Sequence, residues 1–499
     1  PFSKNCWFQH KLKILKKKIM KKFKIILLAL ISIPFATSCD GDFEELNKDP
    51  NNPVAVPADL LLGYAQRQYS NATYGMQRGG DMGAGWAQLW SKVQYNDEMR
   101  YVPRLGVIDA IWSNIYSLTI SEASSIYDLA EVDGNTNLQG AALVMQAIGY
   151  QTLTELYGPI PFTEAVTGGI LKPVHDSEAV VFEGILGLLT QAASLLSNGS
   201  GTITASSDLY YGGDVSKWLK LANSLKFRAL MRISSTRDVS SELQALVNGG
   251  NMFASNADSA ELVYLSVAPD ANPIWETVVD GNRLEYKINS ALVEILEGLG
   301  DPRLAHYAAP NADGDIVGKP SGFGNQTPIP NEELGYTYSN ISGLGDFYLQ
   351  PDLPAVIMSY SQLNFLMAEA ANEGFISGGI PVAKSYYYAG IAENFNWNEL
   401  DGAAYLAQVN LNFESQSDGR EKIATQQWIS LFSQGFEAWT EWRRTKLPAL
   451  TPAAESPLSE IPSRLFFSTA TQNLNKDNFD AAASSIGGDL LTSKLFWQN

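Results

Sequence analysis

The chain has 499 residues, 45% of them hydrophobic, with 35 basic against 53 acidic side chains and a formal charge of −18. Residues 1–38 hold nine lysines and no acid, so the 461 residues after them carry 26 basic and 53 acidic groups, a balance of −27. Such a surface repels phosphate and argues against a nucleic-acid partner, while the apolar content is ample for one large domain or two or three ordinary ones.

The N-terminus reads as an export signal. Met20–Lys24 is basic, Ile25–Ile33 is an apolar run of nine residues, and Ala36-Thr37-Ser38 is a small-residue cleavage site before Cys39. The run is too short to span a bilayer. The pattern predicts a bacterial lipoprotein signal over residues 1–38, with translation starting at Met20 and a mature protein beginning at an acylated Cys39. Ala36 stands where such signals more often carry leucine, and the competing reading is a short buried helix followed by an incidental cysteine. Cys6 falls in the discarded part, which leaves no disulfide in the mature chain. No second apolar stretch approaches about 18 residues, so lipid is expected to be the sole membrane anchor. Residues 39–57, with the acidic Asp40–Glu45 and three prolines by Pro57, read as a tether, and residues 58–499 as a single helical domain.

Helical periodicity then predicts helices over Pro57–Tyr74, Ile108–Ala130, Leu138–Leu156, Ser177–Leu196, Ser216–Ile233, Ile288–Leu299, Val356–Glu373, Val382–Phe395, Ala403–Asn410 and Arg420–Arg443. Alternation at Glu261–Val267 predicts one short strand, with a few more expected, so the class is mainly α. Helix starts near 108, 138, 177 and 216 are spaced by 30, 39 and 39 residues, loosely the period of tetratricopeptide-like helical repeats. Ala141, Ala142, Ala147 and Gly149 would serve close crossings, and ordinary helix packing fits the spacing equally well. Between these helices, Pro269–Tyr348 is rich in Gly, Pro, Asn and aromatics, and excursions of that length are usually functional.

The search for chemistry finds little. Past the signal only His175 and His306 remain, with no Cys partner, so no zinc spacing occurs, and no Gly-x-Ser-x-Gly is present. Gly314–Lys319 and Gly322-Phe323-Gly324 only imitate phosphate and dinucleotide loops and read as turns. Asn311, Asp313 and Asp315 alternate as calcium ligands do, without the later glutamate, and a solvated turn is the simpler reading. No cofactor and no metal are expected. The chain spends instead on aromatics: 11 Trp, 22 Tyr and 21 Phe. Sugar rings stack on aromatic planes while amides and guanidinium groups bond their hydroxyls, whereas most aromatics in a helical protein fill its core. Trp112, Tyr116, Trp218, Phe227, Trp439 and Trp442 lie in periodic helices and are assigned to the core. Three loop groups are the candidate ligand contacts: Trp86, Trp90, Gln94 and Tyr95 after the glycine-rich Gly79–Gly85, the two tryptophans one helical turn apart; Asn272, Trp275 and Arg283; and Phe323, Tyr336 and Tyr338, followed by Phe347 and Tyr348.

Several stretches together resemble the SusD/RagB family of outer-membrane nutrient-binding lipoproteins: Asn47–Pro53, Glu155–Phe162, Lys217–Arg228, Asn364–Ala370, Gln426–Phe432 and Glu437–Thr445. The resemblance spans nearly the whole mature chain. It implies a helical fold with tetratricopeptide-like repeats and a loop-rich ligand face, and a protein that is not an enzyme. It further implies a cell-surface lipoprotein that captures oligosaccharides, or in some members peptides, and delivers them to a SusC-like TonB-dependent outer-membrane transporter. The acidic residues after Cys39 resemble the surface-export signal of such lipoproteins, and the motif residues Glu437, Arg443 and Arg444 read as structural. A helical-repeat envelope scaffold without a small ligand is the alternative from another class. A hydrolase would need one carboxylate pair singled out, and none is.

Overall fold

The computed structural model describes residues 57–324 and 335–498, with Lys13, Lys16, Lys17 and Met20; the rest of the signal sequence, Cys39 and the tether up to residue 56 lie outside the described residues. Ala58–Asn499 forms one unit by its internal contacts, and Pro1–Pro57 another.

α1 (Ala58–Tyr74) leads into a π-helical segment, Met76–Ala84, and then β1 (Trp90–Lys92). α2 (Leu105–Ile115) and α3 (Ser121–Val132) are separated by a π-helical turn at Tyr116–Ile120. α4 (Thr136–Tyr157), α5 (Glu178–Ser197), α6 (Val215–Arg232) and α7 (Ser240–Gly249) follow. The middle of the chain mixes short pieces: β2 (Ala260–Leu262), α8 (Pro273–Trp275), β3 (Tyr286–Ile288), α9 (Ser290–Leu299), α10 (Leu304–Tyr307), β4 (Ala308–Ala309), β5 (Gly343–Leu344) and β6 (Ala355–Met358). Helices then resume with α11 (Tyr360–Asn372), α12 (Gly379–Trp397), α13 (Ala403–Leu406), α14 (Gln416–Ser430), α15 (Gly435–Thr445), α16 (Thr469–Leu474) and α17 (Lys476–Ser485). The strands pair antiparallel as β1–β3, β2–β6 and β4–β5, so the fold is mainly α with a few short strands.

Local chemistry sets the helix starts. The Asn135 side chain accepts from Leu138 N–H at 3.0 Å to open α4, and Asp214 accepts from Ser216 N–H at 2.9 Å to open α6. α4 is buried on nearly every face, which its small residues permit: a Cβ on Gly149 would stand 2.6 Å from Ile120 Cγ1, and one on Gly140 2.6 Å from Leu196 Cγ. α3, α4, α5 and α6 pack in sequence order, each on the next. α5 is a correction to the expectation of no further apolar stretch, because its 20 residues are long and apolar enough to cross a membrane. It packs instead between α4 and α6, burying Val181, Phe182, Ile185, Leu189, Ala192 and Leu196 at helical spacing.

Four other expectations are corrected. The helix expected over Val356–Glu373 begins as β6, since Val356 and Met358 pair with Glu261 and Ala260 of β2, with β-branched Ile357 at the irregularity between them, before Ser359 caps α11. The strand expected over Glu261–Val267 ends at Leu262 and leaves Val263, Leu265 and Val267 exposed. Arg420–Arg443 is two helices, broken at Leu431–Gln434. Trp86 and Trp90 do not share a helix, because Trp90 begins β1. The last two have one cause. Gly83 and Gly435 bring the π-helical segment against the start of α15 so closely that a Cβ on Gly435 would stand 2.0 Å from Gly79 O. A continuous helix through Gln434 would not deliver Gly435 to that contact.

Glu155, Glu369, Glu437 and Glu441, from three of the family-resembling stretches, meet in the interior around two arginines. Arg232 of α6 donates to Glu155 of α4 at 2.8 Å and to Glu437 and Glu441 of α15 at 2.8 and 2.6 Å. Arg444 bonds Glu369 of α11 at 2.6 Å and Glu441 at 2.8 Å, so two arginines tie four helices. Among the described residues Arg443 pairs with no carboxylate. It donates to the carbonyls of Glu155 and Ser463 at 2.7 Å each and lies 3.8 Å over the Trp439 ring, and burial pulls it down to about 9.

Candidate functional site

The candidate surface grows out of the β1–β3 pair. Their register places Trp90 opposite Ile288, Ser91 opposite Lys287 and Lys92 opposite Tyr286, and Val93 N–H extends the ladder to Glu285 O at 3.0 Å. Trp90, Lys92, Tyr286 and Ile288 are buried, which anchors the pair and lets the residues flanking it reach solvent. Gln94 and Tyr95 leave the end of β1, and Arg283 precedes β3. Tyr95 holds a positive φ of 52° and is 58% exposed. A left-handed backbone at a bulky, exposed aromatic is a strained arrangement of the kind that collects at ligand sites.

Arg283 and Tyr338 complete the ridge. The Arg283 guanidinium sits 5.4 Å over the Tyr95 ring, with its Nε bonded to buried Glu285 at 2.6 Å. Tyr338, 45% exposed, donates its hydroxyl to Gln94 Oε1 at 2.6 Å, and its carbonyl accepts from Lys287 Nζ at 2.8 Å. Beside it Phe323 and Tyr336 pack at 5.4 Å with Val93 and Ile341 as a small apolar cluster separate from the main core. Lys319 lies 5.4 Å over the Tyr336 ring and donates to Phe323 O at 2.9 Å, and burial draws its ammonium down to about 8.

Two pockets open on either side of Gln77, Arg283 and Tyr286. One, of about 380 Å³, lies between Tyr95 and Arg104 with Asp81, Lys92 and Glu98 at its base. The other, of about 310 Å³, is bounded by Arg78, Pro273 and Glu276. In the first, every charged base residue is paired: Lys92 Nζ stands 3.2 Å from both Asp81 oxygens, and Arg104 bonds Glu98. Asp81 is fully buried, and desolvation raises its carboxyl to about 6 despite the Lys92 charge. A wall of paired charges presents spare N–H donors and carboxylate lone pairs without a net field, which suits hydroxyl groups better than ions.

The structure thus brings together Gln94, Tyr95, Arg283, Tyr338, Phe323 and Tyr336 and separates the rest. Trp86 and Trp90 are core residues, 0% and 2% exposed, the Trp86 indole donating to Glu98 O at 2.7 Å, so neither offers a face to a ligand. Asn272 is fully buried and caps α8, and Trp275 is half-buried there without lining either pocket. Tyr348 is core, and Phe347 packs against it. Trp112 and Tyr116, assigned to the core, are half-buried and edge a third pocket. Asn311 spends its side-chain oxygen on the N–H groups of Asp313 and Asp315, which closes that segment as a turn. Asp81, Lys92, Glu98, Arg104 and Tyr286 escaped the sequence reading, because scattered charges announce no pocket until β1 and β3 pair.

A family described as "Starch-binding associating with outer membrane", SusD-like, matches residues 50–468. The chain belongs to that family. Among solved structures, a SusD-like protein from Bacteroides thetaiotaomicron is 27% identical with a TM-score of 0.75, covering 89% of this chain and 99% of its own. One named as a chitin-binding protein is 25% identical with a TM-score of 0.78, covering 89% and 100%. A chitin-binding SusD homolog from Flavobacterium johnsoniae, 21% identical with a TM-score of 0.75 and coverage of 87% and 98%, shares the fold. No curated protein matches. Three of the SusD-like stretches, Glu155–Phe162, Asn364–Ala370 and Glu437–Thr445, supply the carboxylates of the arginine centre, whereas the ridge residues lie outside all of the quoted stretches.

Proposed function

We propose that this SusD-like chain is a non-catalytic, cell-surface lipoprotein, acylated at Cys39, that captures neutral oligosaccharides and passes them to a SusC-like TonB-dependent transporter. The observation that carries the ligand class is the exposed ridge of Tyr95, Arg283 and Tyr338 beside a pocket whose base charges are paired internally. Flat exposed rings stack on sugar faces, and Gln94, Arg283 and the pocket walls supply hydrogen bonds to hydroxyls. Charged peptide termini would gain little from walls already neutralised, which favours glycan over peptide. The chitin-binding names of two relatives make N-acetylated glucans the first ligands to try. A ligand to be handed on should bind with modest affinity, roughly micromolar or about −8 kcal/mol, since tighter binding slows release.

Isothermal titration of the Cys39→Ser protein against oligosaccharides and peptides tests the ligand class: glycan binding that Tyr95→Ala weakens supports it, and peptide binding with glycan silence overturns it. Mass spectrometry of the native protein tests the anchor, and an uncleaved, unmodified leader would refute it. A scaffold role would leave the ridge variants without effect on any small ligand.

A further inference from the structure

The two pockets beside the ridge share a wall. Gln77, Arg283 and Tyr286 line both the pocket of about 380 Å³ and the one of about 310 Å³, so a single layer of side chains divides them. Tyr286 is buried, while exposed Gln77 and half-buried Arg283 are the parts of this wall that reach solvent. The local backbone fixes Arg283 there. The π-helical turn Glu276–Asp280 ends at Gly281, Asn282 takes a positive φ of 51°, and the chain doubles back so that Arg283 N–H donates to Thr277 O at 3.1 Å. Its side chain is held by the Tyr95 ring and by Glu285, which accepts from Nε at 2.6 Å and also from Nη2. Among the described residues Nη1 bonds nothing, so the guanidinium keeps two N–H donors at the partition.

We propose that the two pockets are successive sugar subsites on one path, and that Arg283 sets the length of the ligand: a chain must cross the partition to fill both, and Nη1 donates to an oxygen of the linkage that crosses. This rests on the glycan reading and adds to it the number of subsites. Each pocket alone sits near the lower end of the roughly 300–1,000 Å³ range of small-ligand sites, which leaves room for a short unit and not for an oligomer. Asn71, Gln77 and Glu276 bring amide and carboxylate groups to the second pocket, the partners that hydroxyls need. The oxygen joining two sugars has no proton to give and only accepts, and a guanidinium only donates, so the two are complementary at the crossing. Units tied by one linkage bind as a single ligand, and the second adds its contacts without a second loss of translational freedom.

Isothermal titration of the Cys39→Ser protein with glucan and N-acetylated glucan oligosaccharides, from one to about six sugars, tests the length rule. For the type that binds, affinity should climb at least about tenfold between short chains and those that fill both pockets, and then level off. Arg283→Met should remove most of that climb. Thr277→Trp, which puts a large ring into the second pocket, should leave long chains binding no better than short ones. Equal affinity at every length, or a climb that survives either substitution, overturns the length rule and leaves the glycan reading standing; no binding by any of these sugars overturns both. A crystal soaked with the longest chain that binds should show sugar density on both sides of Arg283, and density confined to one pocket would refute the shared path.

Discussion

The arginine centre and the tyrosine ridge use the same materials, guanidinium groups beside carboxylates and aromatic rings, with opposite consequences. Arg232 is fully buried with three carboxylates around it, whereas Arg283 has a side chain 41% exposed and one carboxylate, Glu285, behind it. Arg443 lies over Trp439, and Arg283 over Tyr95, but only the second ring keeps a face open to solvent. The difference teaches that burial, and not residue type, decides whether such a group holds the fold or meets a ligand. In the interior all three Arg232 nitrogens are committed to carboxylates and removing them strands those charges; on the ridge the scaffold is fixed from behind and the outer faces remain exposed.

That contrast can be broken at several points. Arg232→Met should lose about 3–5 kcal/mol of stability, read as a lowered denaturant midpoint, because Glu155, Glu437 and Glu441 are left buried together. A midpoint like that of the unsubstituted protein would remove the claim that this centre holds the four helices. Trp86→Ala should cost a similar amount, about 3–5 kcal/mol, through the cavity it leaves, with glycan affinity unchanged in whatever remains folded. A specific loss of affinity without a loss of stability would return Trp86 to the ligand face.

A pH titration of stability probes the interior by another route. His175 is half-buried against Trp112, and desolvation holds its imidazole down at about 4 against the usual 6.5. The unfolded chain therefore binds this proton first as the pH falls. Stability present above about pH 6.5 should decline towards pH 4, by roughly 3 kcal/mol at most, and His175→Phe should flatten that slope. On the ridge the expected effects are smaller and appear in binding. Tyr95→Ala or Tyr338→Ala should weaken glycan affinity about tenfold, near 1.4 kcal/mol, while the denaturant midpoint stays put. Arg283→Met should change stability least, by under about 1 kcal/mol, as expected for a partly exposed ion pair, and should weaken binding in calorimetry. Equal stability losses for Arg283→Met and Arg232→Met would erase the distinction.

The helices were legible because their signals are local. Apolar spacing in α4, α5 and α6, with Asn135 and Asp214 placed to cap, marks the elements whatever surrounds them. Val356-Ile357 misled because a short apolar run fits a buried strand as well as a helix turn, and only the partner strand β2 settles the choice. Of the ligand candidates, Gln94, Tyr95, Arg283 and Tyr338 were drawn from loop position and did converge, while Trp86, Trp90 and Asn272, drawn by the same reasoning, went inside. Being next to a glycine-rich stretch carries no direction. Gly79–Gly85 is not a loop at all but a tightly turned segment pressed on α15, which turns Trp86 inward against Trp439 at 4.8 Å between ring centroids.

The amino-acid order by itself determined the helical class, the capped helix starts and the family motifs, since these depend on periodicity and contacts a few residues long. Which aromatics face solvent, which charges pair across the chain, and where a pocket opens depended on pairing β1 with β3 over nearly 200 residues and on close glycine contacts between distant segments. Those are long-range packing decisions, made by how much surface each arrangement buries, and no single stretch of the chain contains them.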